Sequence, residues 1–163
     1  MNGLELTVDK TYLALLYGRL LPDRGAIEAP IGRDPQHRQR MAVLPGARHA
    51  RTEYLVREHL RGATHVEAAL KTGRMHQIRV HFAWKRHPLV GDPVYGGRLA
   101  LPKGASDAVI ETLRGFRRQA LHAARLEFSH PVTGETVTCE APIPDDMARL
   151  MTVLREAARE DDA

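Results

Sequence analysis

Residues 64–88 read THVEAALKTGRMHQIRVHFAWKRHP, and no other run in the chain constrains its conformation so closely. Its first part alternates: Val66, Ala68 and Leu70 stand on one side, with His65, Glu67 and Ala69 on the other, which suits a half-buried strand. Thr72-Gly73 punctuates the alternation, and a helix follows from about Met75 to Arg86. His87-Pro88 ends it, because a residue before proline is pushed out of the helical region. On a helical wheel Met75, Ile78 and Phe82 share one arc, Arg79 and Arg86 lie at its edge, and Val80 and Trp84 take the other side. Apolar residues therefore cover much of the circumference, and such a helix is largely buried.

A buried helix cannot send Arg79 straight into water. An unpaired buried guanidinium costs several kcal/mol, so it calls for a carboxylate or phosphate that its planar fork can bind. Two readings stay open from spacing alone. Arg79 binds an anion, or it snorkels or pairs with a glutamate at the core edge. Arg74, His76 and Gln77 lie near the helix N-terminus, where free N–H groups can meet an anion, although His76 is equally placed to cap. His76 and His81 are five apart, not the three or four that put ligands on one face, and no cysteine or acid is near, so no metal site is expected.

The rest of the chain supplies strands. KTYLALLYG (10–18) reads as a buried strand ending at Gly18. A Pro/Gly/charge-rich connection follows, broken by a short strand at GAIEA, and RMAVL and RTEYLVREHL are further strand candidates. Gly62 makes 52–72 a hairpin. Residues 87–97 are a structured loop, and a short helix is expected near 105–114. QALHAARLEFSH and ETVTCEA form a second hairpin around PVTG. Pro144-Asp145-Asp146 opens a last helix with Met147, Leu150, Met151, Leu154 and Ala158 at helical spacing, and the tail REDDA is expected to fray. The fold class is α+β: a mixed, largely antiparallel sheet with flanking helices, in a single domain over residues 1–163.

Charge narrows the function less. The 24 Lys and Arg, 20 of them arginine, outweigh 20 Asp and Glu, giving +4 and a pI near 9.6. That balance permits RNA or an acidic partner, but a solvated arginine-rich surface accounts for it equally well. One cysteine, Cys139, rules out an internal disulfide framework and suits a reducing cytosol; within TVTCEA it is expected to be buried packing. The first residues lack a basic start followed by an apolar run, and LALLY (13–17) is far too short to span a membrane. A cytoplasmic monomer with no membrane contact is expected.

TGRMHQIRVHFA followed by HPLVGDPVYGG closely resembles the signature of RluA/RluD-type pseudouridine synthases, which isomerise specific uridines in RNA, chiefly large-subunit ribosomal RNA. KTYLALLYGRL, GRDPQHRQRMAV, RQALHAARLEFSHPVTGE and APIPDDMARL resemble other family blocks in the right order, so the likeness covers about residues 10 to 155 and is nearest the RluD branch. The resemblance implies a catalytic aspartate acting at the ribose of a flipped uridine. It implies a tyrosine against the base, matching Tyr12, and an arginine holding the aspartate, matching Arg79. Arg74, His76 and Gln77 then become candidate contacts to RNA and Leu121 a candidate pocket wall. RNA is the implied partner, and neither metal nor organic cofactor is implied.

The chain departs from the pattern in one respect. The family's aspartate stands in a His-Arg-Leu-Asp segment upstream of the tyrosine strand, and none of the nine aspartates here has that context. Asp9 does not match it, and Asp92, within GDPVYG, reads as a turn-stabilising carboxylate. The expectation is therefore the C-terminal part of a synthase catalytic domain, without the nucleophile segment and without the S4-like N-terminal RNA-binding domain of relatives. A truncated chain, a non-catalytic RNA-binding remnant and an enzyme that recruits another acid are the competing readings.

Overall fold

A computed structural model describes residues 8–97 and 99–161. β1 (Val8–Tyr17) lies inside a six-stranded sheet with β2 (Arg24–Glu28), β5 (Arg51–Leu60), β6 (Ala63–Leu70), β7 (Leu121–Ser129) and β8 (Thr136–Glu140), in the order β2-β5-β6-β1-β7-β8. Every described pairing is antiparallel, so the largely antiparallel expectation holds without a parallel pair among these residues. β3 (Ile31–Arg33) and β4 (Met41–Val43) form a separate two-stranded ribbon. β3 escapes a reading of the sequence because three residues are too few to show a period.

Alternation along β1 builds two cores. Ala14 and Leu16 face α1 (Gln77–Trp84) together with Val66 and Ala68 of β6, and they enclose Ile78 and Phe82. Leu15 and Tyr17 face the other way, against α2 (Asp107–Gly115) and α3 (Asp145–Asp161), where Val109, Leu113, Met147, Leu150 and Leu154 close the second core. The sheet is thus a middle layer with one short helix on one face and two on the other. α2 and α3 each have a local cause at their start. Ser106 caps α2 by accepting the Val109 N–H at 3.3 Å, and Asp145 and Asp146 meet the positive end of α3.

Four expectations need correction. Cys139 is exposed, because it lies on β8, at the edge of the sheet beyond the reach of any helix. Met75 and Trp84 are half exposed at 52% and 50%, since α1 begins only at Gln77 and Trp84 is its last residue. Arg159, Glu160 and Asp161 are helical rather than frayed, and Asp161 pairs with Arg61 at 3.0 Å; residues 162–163 of that tail lie outside the described ones. His65 is buried although its strand face was expected to be wet, because α3 covers that face through an Arg155–Glu58 fork at 2.7 and 2.8 Å.

His65 carries a cost that can be measured. Its Nε2 is buried without a partner, and burial, with Arg57 adding to it against Glu58, pushes the imidazole down to about 4. A ring that is neutral when folded and protonates near 6.5 when unfolded stabilises the fold fully above that value and loses its contribution as the pH falls toward 4. The expected outcome is that His65→Leu removes about 2–3 kcal/mol of the stability difference between pH 7 and pH 4.5 in urea unfolding, as a depression of this size implies. An unchanged pH slope contradicts the assignment.

Candidate functional site

β1 and α1 meet over a cleft of about 310 Å³ lined by Tyr12, Leu70, Arg74, His76, Gln77, Ile78, Arg79, Gln119 and Leu121. All six residues singled out from the sequence line this one cleft. Leu70, Ile78 and Gln119 were not anticipated; the first two were legible only as apolar face residues, and Gln119 carries no signal of its own.

Tyr12 reaches the cleft from the α1 face of the sheet. Next to it the β1–β7 register slips: Thr11 faces Arg125 while Tyr12 faces Ala123, which leaves Ala124 as an extra residue on β7. Such a bulge bends a strand and re-aims its side chains, and here it separates the regular part of β7 from the stretch that brings Leu121 beside the cleft.

The entrance of α1 is built from backbone and amide contacts. His76 sits at φ 56°, in the left-handed region, and its side chain makes no cap hydrogen bond. Gln77 instead ties down the turn that leads into the helix. Its Oε1 accepts from the Arg74 N–H at 3.0 Å and the Thr72 hydroxyl at 2.6 Å, and its Nε2 donates to the Arg51 carbonyl and to Thr52 Oγ1, both at 2.9 Å. Every polar site of Gln77 is thereby engaged within the protein, so its amide shapes the cleft and has nothing left to offer a ligand. Thr52 passes the network to His81, whose Nδ1 lies 2.8 Å from Oγ1 while Nε2 lies 2.9 Å from the Ala29 carbonyl. A carbonyl only accepts, so Nε2 carries the proton and Thr52 donates to Nδ1; burial pushes His81 down and keeps it neutral. Arg74 Nε donates to the His49 carbonyl at 2.8 Å.

Arg79 finds its carboxylate inside this chain. Its Nε and Nη2 donate to the two oxygens of Asp92 at 2.8 and 2.9 Å, and the Asp92 side chain is fully buried. Asp92 also accepts the N–H groups of Val94 and Tyr95 at 2.9 and 3.0 Å. The turn-stabilising role expected for Asp92 is present, and the same carboxylate is the partner that Arg79 was expected to find elsewhere. Burial pushes the Asp92 carboxyl up, but Arg79 and the two N–H groups outweigh it and hold the acid below its ordinary range. Asp92 in turn raises Arg79 further. Nη1 of Arg79 has no hydrogen-bond partner among the described residues, and the guanidinium lies over the Tyr95 ring, 4.9 Å from its centroid.

Among the described residues no aspartate or glutamate lines the cleft. A larger groove of about 530 Å³ on the opposite sheet face does hold acids, but Glu53 pairs with Arg51 and Lys71, and Glu67 with Arg57. Among the described residues no three histidine, cysteine or acidic side chains cluster as metal ligands would, and no helix is long and apolar enough to cross a membrane.

A model of the RNA pseudouridylate synthase family matches residues 4–84. The chain is 53% identical over 149 residues to the ribosomal large subunit pseudouridine synthase D of Xanthomonas campestris pv. campestris, covering 91% of this chain and 45% of that protein. It is 49% identical over 148 residues to the protein of that name from Escherichia coli, with the same coverage. The chain therefore spans about half the length of the curated relatives it matches. Among solved structures, human RNA pseudouridylate synthase domain containing 1 superposes with a TM-score of 0.71 at 30% identity, over 91% of this chain and 59% of that one. Human RNA pseudouridylate synthase domain containing 4, at 24% identity and a TM-score of 0.68, shares the fold.

Removing the negative charge from Asp92 leaves a buried guanidinium without a counter-charge. Asp92→Asn is expected to cost about 3 kcal/mol in chemical denaturation, in the range for breaking a buried pair. Arg79→Gln added to that variant should cost less than it does alone, and strictly additive losses would show that the two side chains act independently.

Proposed function

We propose, from a chain that belongs to the RNA pseudouridylate synthase family, that the Tyr12–Arg79 cleft receives a uridine of large-subunit ribosomal RNA for isomerisation to pseudouridine. One observation carries the reading. Six residues picked out by the resemblance, from three separate segments, line a single cleft of about 310 Å³. A base taken from its stack needs an apolar or aromatic surface in exchange, and Tyr12, Leu70, Ile78 and Leu121 offer one. Arg74 and His76 supply donors at the rim for phosphate or base edges.

Asp92 is not the attacking group. Four hydrogen bonds and complete burial of its side chain leave it neither a free oxygen nor a path to the ribose. The attacking carboxylate is proposed to come from beyond the residues that line this cleft, and Arg79 keeps Nη1 and the second N–H of Nη2 to meet it. Asp92 then acts from behind, presenting the guanidinium in one orientation.

In the full protein, assayed for pseudouridine on unmodified large-subunit ribosomal RNA, Arg79→Ala is expected to lower turnover about a hundredfold or more, as loss of alignment does. Full activity in that variant contradicts the assignment of Arg79. Among the described residues no acid lines the cleft, which favours a second reading, a non-catalytic RNA-binding protein. That reading predicts salt-sensitive RNA binding with no pseudouridine formed, and turnover by the purified protein excludes it.

A further inference from the structure

Tyr95 joins three parts of the site, and its hydroxyl has no role in anything derived above. Its backbone N–H closes the turn on Asp92, and its ring lies under the Arg79 guanidinium. Its hydroxyl accepts the Met41 N–H of β4 at 2.9 Å and lies 2.8 Å from His76 Nδ1, with the two rings edge to face at 5.6 Å. A backbone amide can only donate, so the Met41 contact leaves the hydroxyl proton available to His76 Nδ1. His76 itself is held in a backbone conformation that residues other than glycine seldom adopt, without using its ring as a helix cap. Its Nε2 has no protein partner among the described residues, and it is not one of the buried unpaired atoms.

We infer that Tyr95 is a positioning residue acting through His76: its hydroxyl occupies Nδ1 and so fixes a neutral ring whose Nε2–H faces the cleft as a donor to a carbonyl oxygen of the bound base. The inference rests on the reading of the cleft as a uridine site. Uracil presents an acceptor oxygen, O4, where cytosine carries an amino group, so a donor fixed on that oxygen favours the first over the second. Burial and the nearby Arg79 and Arg33, against an opposing Asp92, push His76 down and keep the ring neutral, in keeping with this arrangement.

Tyr95→Phe in the full protein keeps the ring beneath Arg79 and removes only the hydroxyl. With histidine labelled in nitrogen-15, the wild-type His76 is expected to be protonated at Nε2 alone. In Tyr95→Phe it should become a mixture of tautomers and titrate at a higher pH, since the hydrogen bond favouring the neutral ring is gone. On a ribosomal RNA fragment kcat/KM should fall about threefold to tenfold, the worth of one neutral hydrogen bond, mainly through KM. No further loss is expected when the change is made in a His76→Ala background. An unchanged tautomer and titration in Tyr95→Phe, a wild-type ring protonated at Nδ1, or additive losses overturn the inference. If His76→Ala costs nothing while Arg79→Ala abolishes turnover, the inference fails and the uridine reading stands; if neither change matters, the uridine reading fails.

Discussion

A guanidinium and a carboxylate, both withdrawn from water, hold this site together. Such a pair repays its desolvation only when the geometry is good and the remaining lone pairs are satisfied. Both conditions are met: the Arg79–Asp92 fork is bidentate, and Asp92 spends its remaining capacity on two backbone N–H groups. The consequence is mechanical. α1 and the loop at 87–97 cannot move independently, so whatever the loop presents is registered against the helix. Gly91 sets the same loop from its other side. It adopts φ +76°, and a Cβ there would collide with the Arg118 carbonyl and the Phe116 backbone and ring. The loop is thus held at two adjacent residues, Gly91 against the entry of β7 and Asp92 against α1, with Tyr95 three residues further on.

The sheet supplies the second half of the frame. β1 is bonded on both sides, and its α1 face carries Tyr12, Ala14 and Leu16 in succession. The core beneath the cleft is therefore continuous with the wall of the cleft. Tyr12 stands where that face emerges from under α1, with the bulge at Thr11/Tyr12 marking the transition. Function on such a scaffold belongs to the side chains grafted on it and not to the sheet as such.

Much of this arrangement was legible in the sequence, and the limits have physical causes. Period-two and helical spacing gave the long strands, α1 and α3, and the apolar girth of α1 was enough to predict that Arg79 needed a partner. The identity of that partner was hidden, because Asp92 is brought to Arg79 by a loop whose path no periodicity encodes. The start of α1 was misplaced by two residues because the left-handed turn at His76 leaves no compositional trace. Burial was misjudged at Cys139 and His65 for one reason: a strand's pattern shows which residues share a face, not whether a helix covers that face. The Gln77–Thr52–His81 chain was invisible, since it joins residues far apart in sequence through contacts that only the fold creates.

The most direct test of the central claim is a structure of the full protein bound to a uridine-containing fragment of large-subunit ribosomal RNA. One unstacked uracil is expected in the cleft, its face against Tyr12 and an oxygen within hydrogen-bond distance of His76 Nε2, with the Arg79–Asp92 fork unbroken. An RNA bound elsewhere on the surface with the cleft vacant, or an Arg79 released from Asp92 and turned into solvent, would contradict it.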